Sequence, residues 1–349
     1  MTDGAATSWL AHDRENMLAA TAAMPDQLQA ALDAPRFRLG LEGRPSSVVV
    51  LGMGGSGLAG SVLEAFAFGR SPVPVAVVNG YVPPAFVGPG TLVFAVSFSG
   101  ETEETLEAAR ASLELGATMV ALSSGGSLAS LVSGAGGQVL RIPPGIPQPR
   151  AGLAAMAAPL LLACEEIGLL EGARRELELA VANLRLGLPE LVSGKGEAVR
   201  LAGRIGRSIP LVHGASGLAS VAARRFKAQV NENAKSPAFF GVQPEVCHNE
   251  ICGFGQHGDV TRQLLTLVEL RLEPEQAAIA RRFDLVAELL EEVVGDVVTV
   301  RGTGEGELAS FFDLVAICDV ASLHLAAAAG VDPGPVPVLS ELKQRLRDC

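Results

Sequence analysis

The sequence predicts an α/β protein made of two doubly wound, mostly parallel-sheet domains related by duplication, preceded by an N-terminal helical arm. Three observations carry this. Short β-branched runs alternate with helical patterns, which implies a parallel sheet with helices on its faces. A strand, glycine turn and helix occur once at Ser47–Leu51 with Gly52-Met53-Gly54-Gly55-Ser56-Gly57, and again at Ile209–Val212 with His213-Gly214-Ala215-Ser216-Gly217. Gly54-Gly55-Ser56-Gly57-Leu58-Ala59 and Gly214-Ala215-Ser216-Gly217-Leu218-Ala219 agree at five of six positions at an offset of 160 residues, which marks an internal repeat.

Length and composition agree with two domains. The chain has 349 residues, beyond the size at which one core stops growing. Hydrophobic residues make up 48% and charged residues 19%, so there is ample material for buried cores and no signature of disorder. Mean hydropathy is +0.34, yet no segment reads as the ~20 apolar residues that span a bilayer. The apolar stretch from Ala151 to Cys164 holds Pro159 and runs into two glutamates, so it reads as a buried helix. Net charge is −11 with no basic run, the opposite of a nucleic-acid binder. The N-terminus lacks a basic and an apolar region of a secretory leader, and the five cysteines are scattered without zinc spacing. The expectation is a cytoplasmic protein with reduced thiols, no membrane partner and no nucleic-acid partner.

The elements follow in order. Residues 8–33 read as helical, from apolar positions at helical spacing. Boundaries are expected at 1–40 for the arm, 41–192 for the first domain and 193–349 for the second, with the division in polar Ser193-Gly194-Lys195-Gly196. Strands are expected at Ser47–Leu51, Val73–Val78, Thr91–Val96, Met119–Leu122 and Gln138–Ile142, with a helix from about Thr102 to Leu115. In the second half Thr261–Leu270 and Val297–Arg301 read as strands, and a helix runs from the second glycine turn to about Gln229.

Gly52, Gly54 and Gly57 satisfy G-x-G-x-x-G in the context of a dinucleotide site. Such a site needs an acid at the end of the next strand for the ribose. That strand ends Val77-Val78-Asn79-Gly80, without one. An NAD-dependent oxidoreductase is therefore a minority reading, and no P-loop is present. Ser97-Phe98-Ser99-Gly100-Glu101-Thr102 instead supplies three hydroxyls beside a helix start, where free N–H groups and the dipole favour an anion. With Ser56 on the neighbouring turn, these groups suit a phosphate monoester held passively. The bland account is an ordinary serine-rich N-cap.

Strand-Gly-Met-Gly-Gly-Ser followed by Ser97-Phe98-Ser99-Gly100-Glu101-Thr102 resembles the sugar isomerase (SIS) domain. Gln148-Pro149-Arg150, Asn231-Glu232-Asn233-Ala234-Lys235, His248-Asn249-Glu250-Ile251 and Leu342-Lys343 narrow the resemblance to the bifunctional phosphoglucose/phosphomannose isomerase family, which carries two SIS domains. It covers essentially residues 45–349. Phe239-Phe240-Gly241-Val242 departs from the segment expected there, which bears on pocket shape.

The resemblance implies reversible, metal-independent, cofactor-free isomerisation of glucose 6-phosphate and mannose 6-phosphate to fructose 6-phosphate. Gly54, Gly55, Ser56, Ser97, Ser99 and Thr102 would bind the phosphate. Moving a proton between C1 and C2 needs a base, an electrophile for the enediolate oxygen, and groups to open the ring. Glu232 fits the base, although a solvated glutamate at a helix end is the ordinary alternative. Arg150 fits the electrophile: it follows a proline-rich presenter and precedes an apolar helix whose dipole it opposes, which points to an anionic partner. His248 and Lys343 would open the ring, and the histidine of such enzymes commonly reaches across a homodimer interface. A non-catalytic sugar-phosphate regulator would keep the hydroxyl loop without needing Arg150, Glu232 and His248 together.

Overall fold

The structure is a computed structural model and describes residues 10–36, 39 and 43–347. Positions 8 and 9 of the expected N-terminal helix lie outside the described residues. The arm is not one helix. Residues 11–16 form turns, followed by α1 (Met17–Ala22) and α2 (Met24–Asp33). Asp13 accepts from the N–H groups of Met17 and Leu18 at 2.7 and 2.9 Å. It thereby satisfies donors that a helix start leaves bare.

The first half runs β1 (Ser47–Leu51), α3 (Gly54–Ala67), β2 (Val75–Val78), β3 (Thr91–Val96), α4 (Glu103–Glu114), β4 (Thr118–Ser123), α5 (Gly126–Gly134) and β5 (Gln138–Arg141). A 3-10 turn at Pro149–Gly152 leads into α6 (Leu153–Glu166) and α7 (Ala173–Val192). The second half runs α8 (Glu197–Ile205), β6 (Ile209–Ala215), α9 (Leu218–Asn233), β7 (Phe239–Gln243), α10 (Gly258–Leu264) and β8 (Leu265–Arg271). It continues through α11 (Ala277–Leu290), β9 (Asp296–Arg301), α12 (Glu307–Ala329) and α13 (Pro337–Arg347).

Both sheets are parallel. Their orders are β2-β1-β3-β4-β5 and β7-β6-β8-β9, the same arrangement with one strand fewer in the second. The duplication is thus a repeat of topology as well as of sequence. The two glycine turns are not superimposable, however. Gly54 already lies in α3, whereas its counterpart Gly214 is still in β6 and the helix waits until Leu218. Thr261–Leu264, expected as strand, is the end of α10; the β-branched run begins to pair only at Leu265, opposite Ile209.

Alternation along the first sheet builds two cores. Val48, Val50, Phe94 and Leu122 face a large central core. Val49, Leu51, Val93 and Ala121 face a smaller one under α4 and α5. The central core is continuous through α2, α3, α6, α7, α9 and α12, so both halves share it. Helix α12 corrects the reading that no segment is long enough for a membrane: its 23 residues are long and apolar enough. It lies inside the protein, with Leu308–Ala326 buried throughout. Its acids are partnered there, Asp313 by Thr303 at 2.7 Å and Asp319 by Arg225 at 2.6 Å.

The outer face of the second sheet is more polar. His213, Glu269 and Thr299 stand side by side across β6, β8 and β9. Thr299 donates to Oε2 of Glu269 at 3.0 Å, while Oε1 is buried without a partner. Burial pushes the Glu269 carboxyl above its usual range, against the lowering effect of that bond and of Arg271. A carboxyl raised on folding stabilises the fold below its unfolded value and loses that contribution as pH rises through its folded value. Glu269→Gln, which keeps an acceptor for Thr299, is expected to raise the thermal midpoint at pH 7. A gain of ~1 kcal/mol corresponds to about 2–4 °C. The difference should vanish below about pH 4 in a melting series.

Candidate active site

The first turn sits where strand order reverses, between β1 and β3, the usual ligand position in open α/β sheets. Asn79 replaces the acid of a dinucleotide site. Its amide donates to Gly52 O at 2.5 Å and accepts from Arg224 at 3.3 Å, clamping the glycine turn to the second half. Gly55 packs closely on the backbone before Arg150: a Cβ would stand 3.3 Å from Pro149 O, tighter than an ordinary contact. That close approach brings the turn against the segment carrying Arg150.

The hydroxyl loop is self-organised. Ser97 is fully buried; its Oγ lies 2.8 Å from Thr102 Oγ1 and accepts from Gly100 N at 3.1 Å. Ser56 is also buried, and its Oγ accepts from Phe98 N at 3.2 Å, joining the two turns. Gly100 takes φ +78°, and a Cβ there would fall 2.0 Å from Gly125 O. Ser99 is exposed and accepts from Glu101 N at 3.2 Å. Glu101 in turn caps α5 through Ser127 N at 2.7 Å, a bond that holds its carboxyl below the usual value. Thr102 stands at the N-cap position of α4, but its hydroxyl serves Ser97 rather than the helix. Of the expected phosphate ligands, Ser99, Thr102, Gly54 and Gly55 retain surface, while Ser56 and Ser97 shape the loop from beneath.

Arg150 is buried rather than carried on an exposed linker. It is 5% exposed in the 3-10 turn. Its Nε donates to Asn233 Oδ1 at 2.8 Å and its Nη2 to the carbonyls of Pro333 and Gly334 at 2.5 Å each. Nη1 reaches Gln148 Oε1 at 3.3 Å and Glu232 Oε2 at 3.4 Å. Burial lowers the guanidinium pKa, and Glu232 and Glu15 oppose that shift. Glu232 lies in the last turn of α9, partly exposed. Lys235 follows at φ +55°; it donates to Glu232 O and, at 3.3 Å, to Pro333 O, and burial holds its ammonium below the usual value.

Arg150 and Glu232 line a cleft of about 180 Å³ together with Gly54, Gly55 and Phe240. Arg224, Arg225 and Lys227 complete the wall; Arg150 faces Glu232 and Arg225 is neutralised by Asp319, so Arg224 and Lys227 supply its surplus of positive charge. In a chain of net charge −11 this concentrates positive potential at one place, suited to an anionic ligand. A larger cleft of about 1140 Å³ opens at the corresponding edge of the second sheet. It carries Glu64, Glu273, Glu275 and Glu307 with no basic side chain in its lining, which disqualifies it for a phosphate dianion.

Two expected residues stand apart. His248 is exposed at the end of a 3-10 turn, Glu245–His248, between β7 and α10. Lys343 is exposed on α13. Neither contacts Arg150 or Glu232 within the described residues. Conversely, the shell around Arg150 was only partly read from sequence. Gln148 and Asn233 were visible inside the quoted motifs, but their service to Arg150 was not. Glu15, which accepts from Gln148 at 2.7 Å and so ties the arm to the site, carried no sequence signal.

This is the layout of a double-SIS-domain sugar-phosphate protein. The family model for the bacterial phospho-glucose isomerase C-terminal SIS domain matches residues 194–346, and the SIS domain model matches residues 44–135. The chain is 35% identical over 331 residues to a bifunctional phosphoglucose/phosphomannose isomerase of Caldicellulosiruptor bescii, covering 93% of this chain and 97% of the relative. It is 34% identical over 301 residues to one of Aquifex aeolicus, covering 86% and 90%. Among solved structures it resembles the C-terminal domain of glucosamine-fructose-6-phosphate aminotransferase from Francisella tularensis. That match has a TM-score of 0.67 at 16% identity and covers 90% of this chain and 96% of that one. The chain belongs to the bifunctional phosphoglucose/phosphomannose isomerase family.

Arg225 holds the cleft wall in place. It forms a two-point ion pair with Asp319 at 2.9 and 2.6 Å, both side chains 2% exposed, and donates to Arg150 O at 2.7 Å. Removing one partner of such a pair leaves an uncompensated buried charge. Asp319→Ala is therefore expected to cost about 3–5 kcal/mol in urea unfolding.

Proposed function

We propose that this chain interconverts glucose 6-phosphate and mannose 6-phosphate with fructose 6-phosphate by moving a proton between C1 and C2. The observation that carries the reading is the Arg150–Glu232 pair, 3.4 Å apart, on the cationic wall facing the glycine turn. The family's activity supports it. The phosphate is held by the loop of Ser99 and Thr102 and by Gly54 and Gly55, with Ser56 and Ser97 fixing the loop. No lysine adjoins that loop, so the phosphate is an anchor and the far end of the sugar reacts.

Glu232 is the base. Its carboxylate takes the proton from C2 of the open-chain aldose and returns it to C1, through a cis-enediolate. The negative oxygen of that intermediate meets Arg150. Arg150 is already fixed by Asn233 and two carbonyls, so stabilising the oxygen requires no reorganisation at the moment of reaction. A guanidinium electrophile makes the step independent of a metal or cofactor. The two epimers share one cis-enediolate, so a single base accounts for both if rotation about the C2–C3 bond presents either C2 proton to Glu232. His248 and Lys343 act earlier, opening the ring. The exposure of His248, away from this chain's own Glu232, supports its reaching the cleft of a second copy, which makes the working unit a homodimer. We place the division between the domains at 192/193, in the gap between α7 and α8, and the protein in the cytoplasm.

The test is turnover of each aldose phosphate by the purified protein, with and without chelator. Fructose 6-phosphate should form from both, unaffected by chelation; turnover of neither sugar would overturn the reading. Glu232→Gln should lower kcat by about 10²–10⁴-fold, the usual worth of a general base, while leaving fructose 6-phosphate affinity within a few-fold. Full turnover by that variant would remove Glu232 as the base.

A further inference from the structure

His248 belongs to a segment, residues 244–257, that has little regular structure to hold it. Val246 and Phe254 bury two apolar anchors at 4% and 6% exposure. Asn249 ties the segment to itself, accepting from Glu250 N at 2.6 Å and donating to Glu245 Oε1 at 2.8 Å. Two polar contacts tie it to the sheet: Cys247 Sγ donates to Gln243 Oε1 at 3.1 Å on one side of His248, and Glu250 reaches β6 on the other. Oε1 of Glu250 lies 2.6 Å from Nε2 of His213. The two side chains share one short hydrogen bond across that gap.

His213 is 1% exposed in the middle of β6, a central strand. Gly241 on neighbouring β7 makes room for the contact. A Cβ there would meet Val246 Cγ1 at 2.6 Å, Glu250 Oε2 at 3.0 Å and His213 Cδ2 at 3.2 Å. On one side of the pair lies an apolar cluster of Leu211, Leu267, Val286 and Phe254, and on the other stands Glu269, beside His213 on β8. An aliphatic residue at 213 would extend that cluster, whereas His213 leaves Nδ1 buried without a partner. A polar tether kept where an apolar side chain would be more stable points to a demand for geometry rather than for stability.

We infer that His213 and Glu250 are positioning residues: their hydrogen bond fixes the direction in which the 244–257 segment presents His248 for ring opening. The inference rests on the isomerase reading above. Glu250 turns inward to the sheet while His248 faces solvent, so breaking its bond to His213 frees the segment to rotate about its two apolar anchors. Misplacement of a reacting group by about 1 Å costs on the order of 10²-fold in rate.

The experiment compares Glu250→Ala, Glu250→Gln and His248→Ala with the parent, on glucose 6-phosphate carrying deuterium or protium at C2. Glu250→Ala should lower kcat by about 10–100-fold with KM within about twofold. Its deuterium isotope effect should fall toward unity, because ring opening, which does not break the C2–H bond, becomes the slow step. Glu250→Gln keeps an acceptor for His213 and should recover to within about threefold of the parent. The Glu250→Ala loss should largely disappear in a His248→Ala background, as expected for residues acting as one unit. A merely structural loss would lower the active fraction and leave the isotope effect untouched. Parental kcat and isotope effect in Glu250→Ala, or full additivity with His248→Ala, would overturn the inference while the isomerase reading stands. A parent that turns over neither sugar would overturn both. Because Glu250 is partly exposed, a fold defect is not expected; should the alanine variant fail to fold, failure of Glu250→Gln to keep the parental isotope effect would itself overturn the proposal.

Discussion

A guanidinium withdrawn from water is costly unless each of its donors finds an acceptor. That constraint organises the junction between the two halves. Arg150 belongs to the first half by sequence, yet Asn233, Glu232 and the Pro333 and Gly334 carbonyls belong to the second. These acceptors lie roughly 80 and 180 residues downstream. They converge only when α9 and the segment after α12 have docked on α6 and α3. Arg225, held by Asp319, then secures the backbone oxygen of Arg150. The groups that line the cleft are the same groups that make the docking satisfiable.

Much of this was legible in the sequence because it depends on local pattern. Strand, glycine turn and helix are fixed by β-branched runs, by missing Cβ atoms and by helical spacing, and the repeat at an offset of 160 residues announced the duplicated topology. Arg150 and Glu232 were both singled out by residue type and motif, and the fold brings them within 3.4 Å of each other. What pattern does not record is direction. Ser56 and Ser97 read as phosphate ligands by residue type, but their hydroxyls point into the loops they join. Thr261–Leu264 reads as strand only by continuity with the run behind it; Arg262, Gln263 and Leu264 are good helix formers, and pairing with β6 starts only at Leu265. Glu15 touches the site only through the fold of the arm, which composition could not reveal.

The two halves share strand order but have divided the chemistry. The first keeps small and hydroxylic residues at its switch point and presents an anion-holding edge. The second places Glu273-Pro274-Glu275 at the corresponding loop, with Glu275 spent on Arg271, and gives up that role. In exchange its α9 supplies Glu232, Asn233 and the cations that face the first half's glycine turn. The hydroxyl loop lies on one domain and Glu232 on the other. Neither edge alone carries both.

Helix α12 is made late in the chain, yet it fills the middle of the shared core and carries Asp319. During synthesis the first sheet emerges well before residues 307–329. Until they appear, α7, α8 and α9 lack the helix they pack against, Arg225 lacks its counter-charge, and Asn233 lacks the Ser322 hydroxyl that receives its amide at 2.8 Å. The nascent protein therefore passes through a long interval with apolar surface bare to solvent, the condition in which growing chains aggregate or engage chaperones. A nonsense truncation before α12 yields not a one-domain enzyme of reduced activity but a sticky half-core.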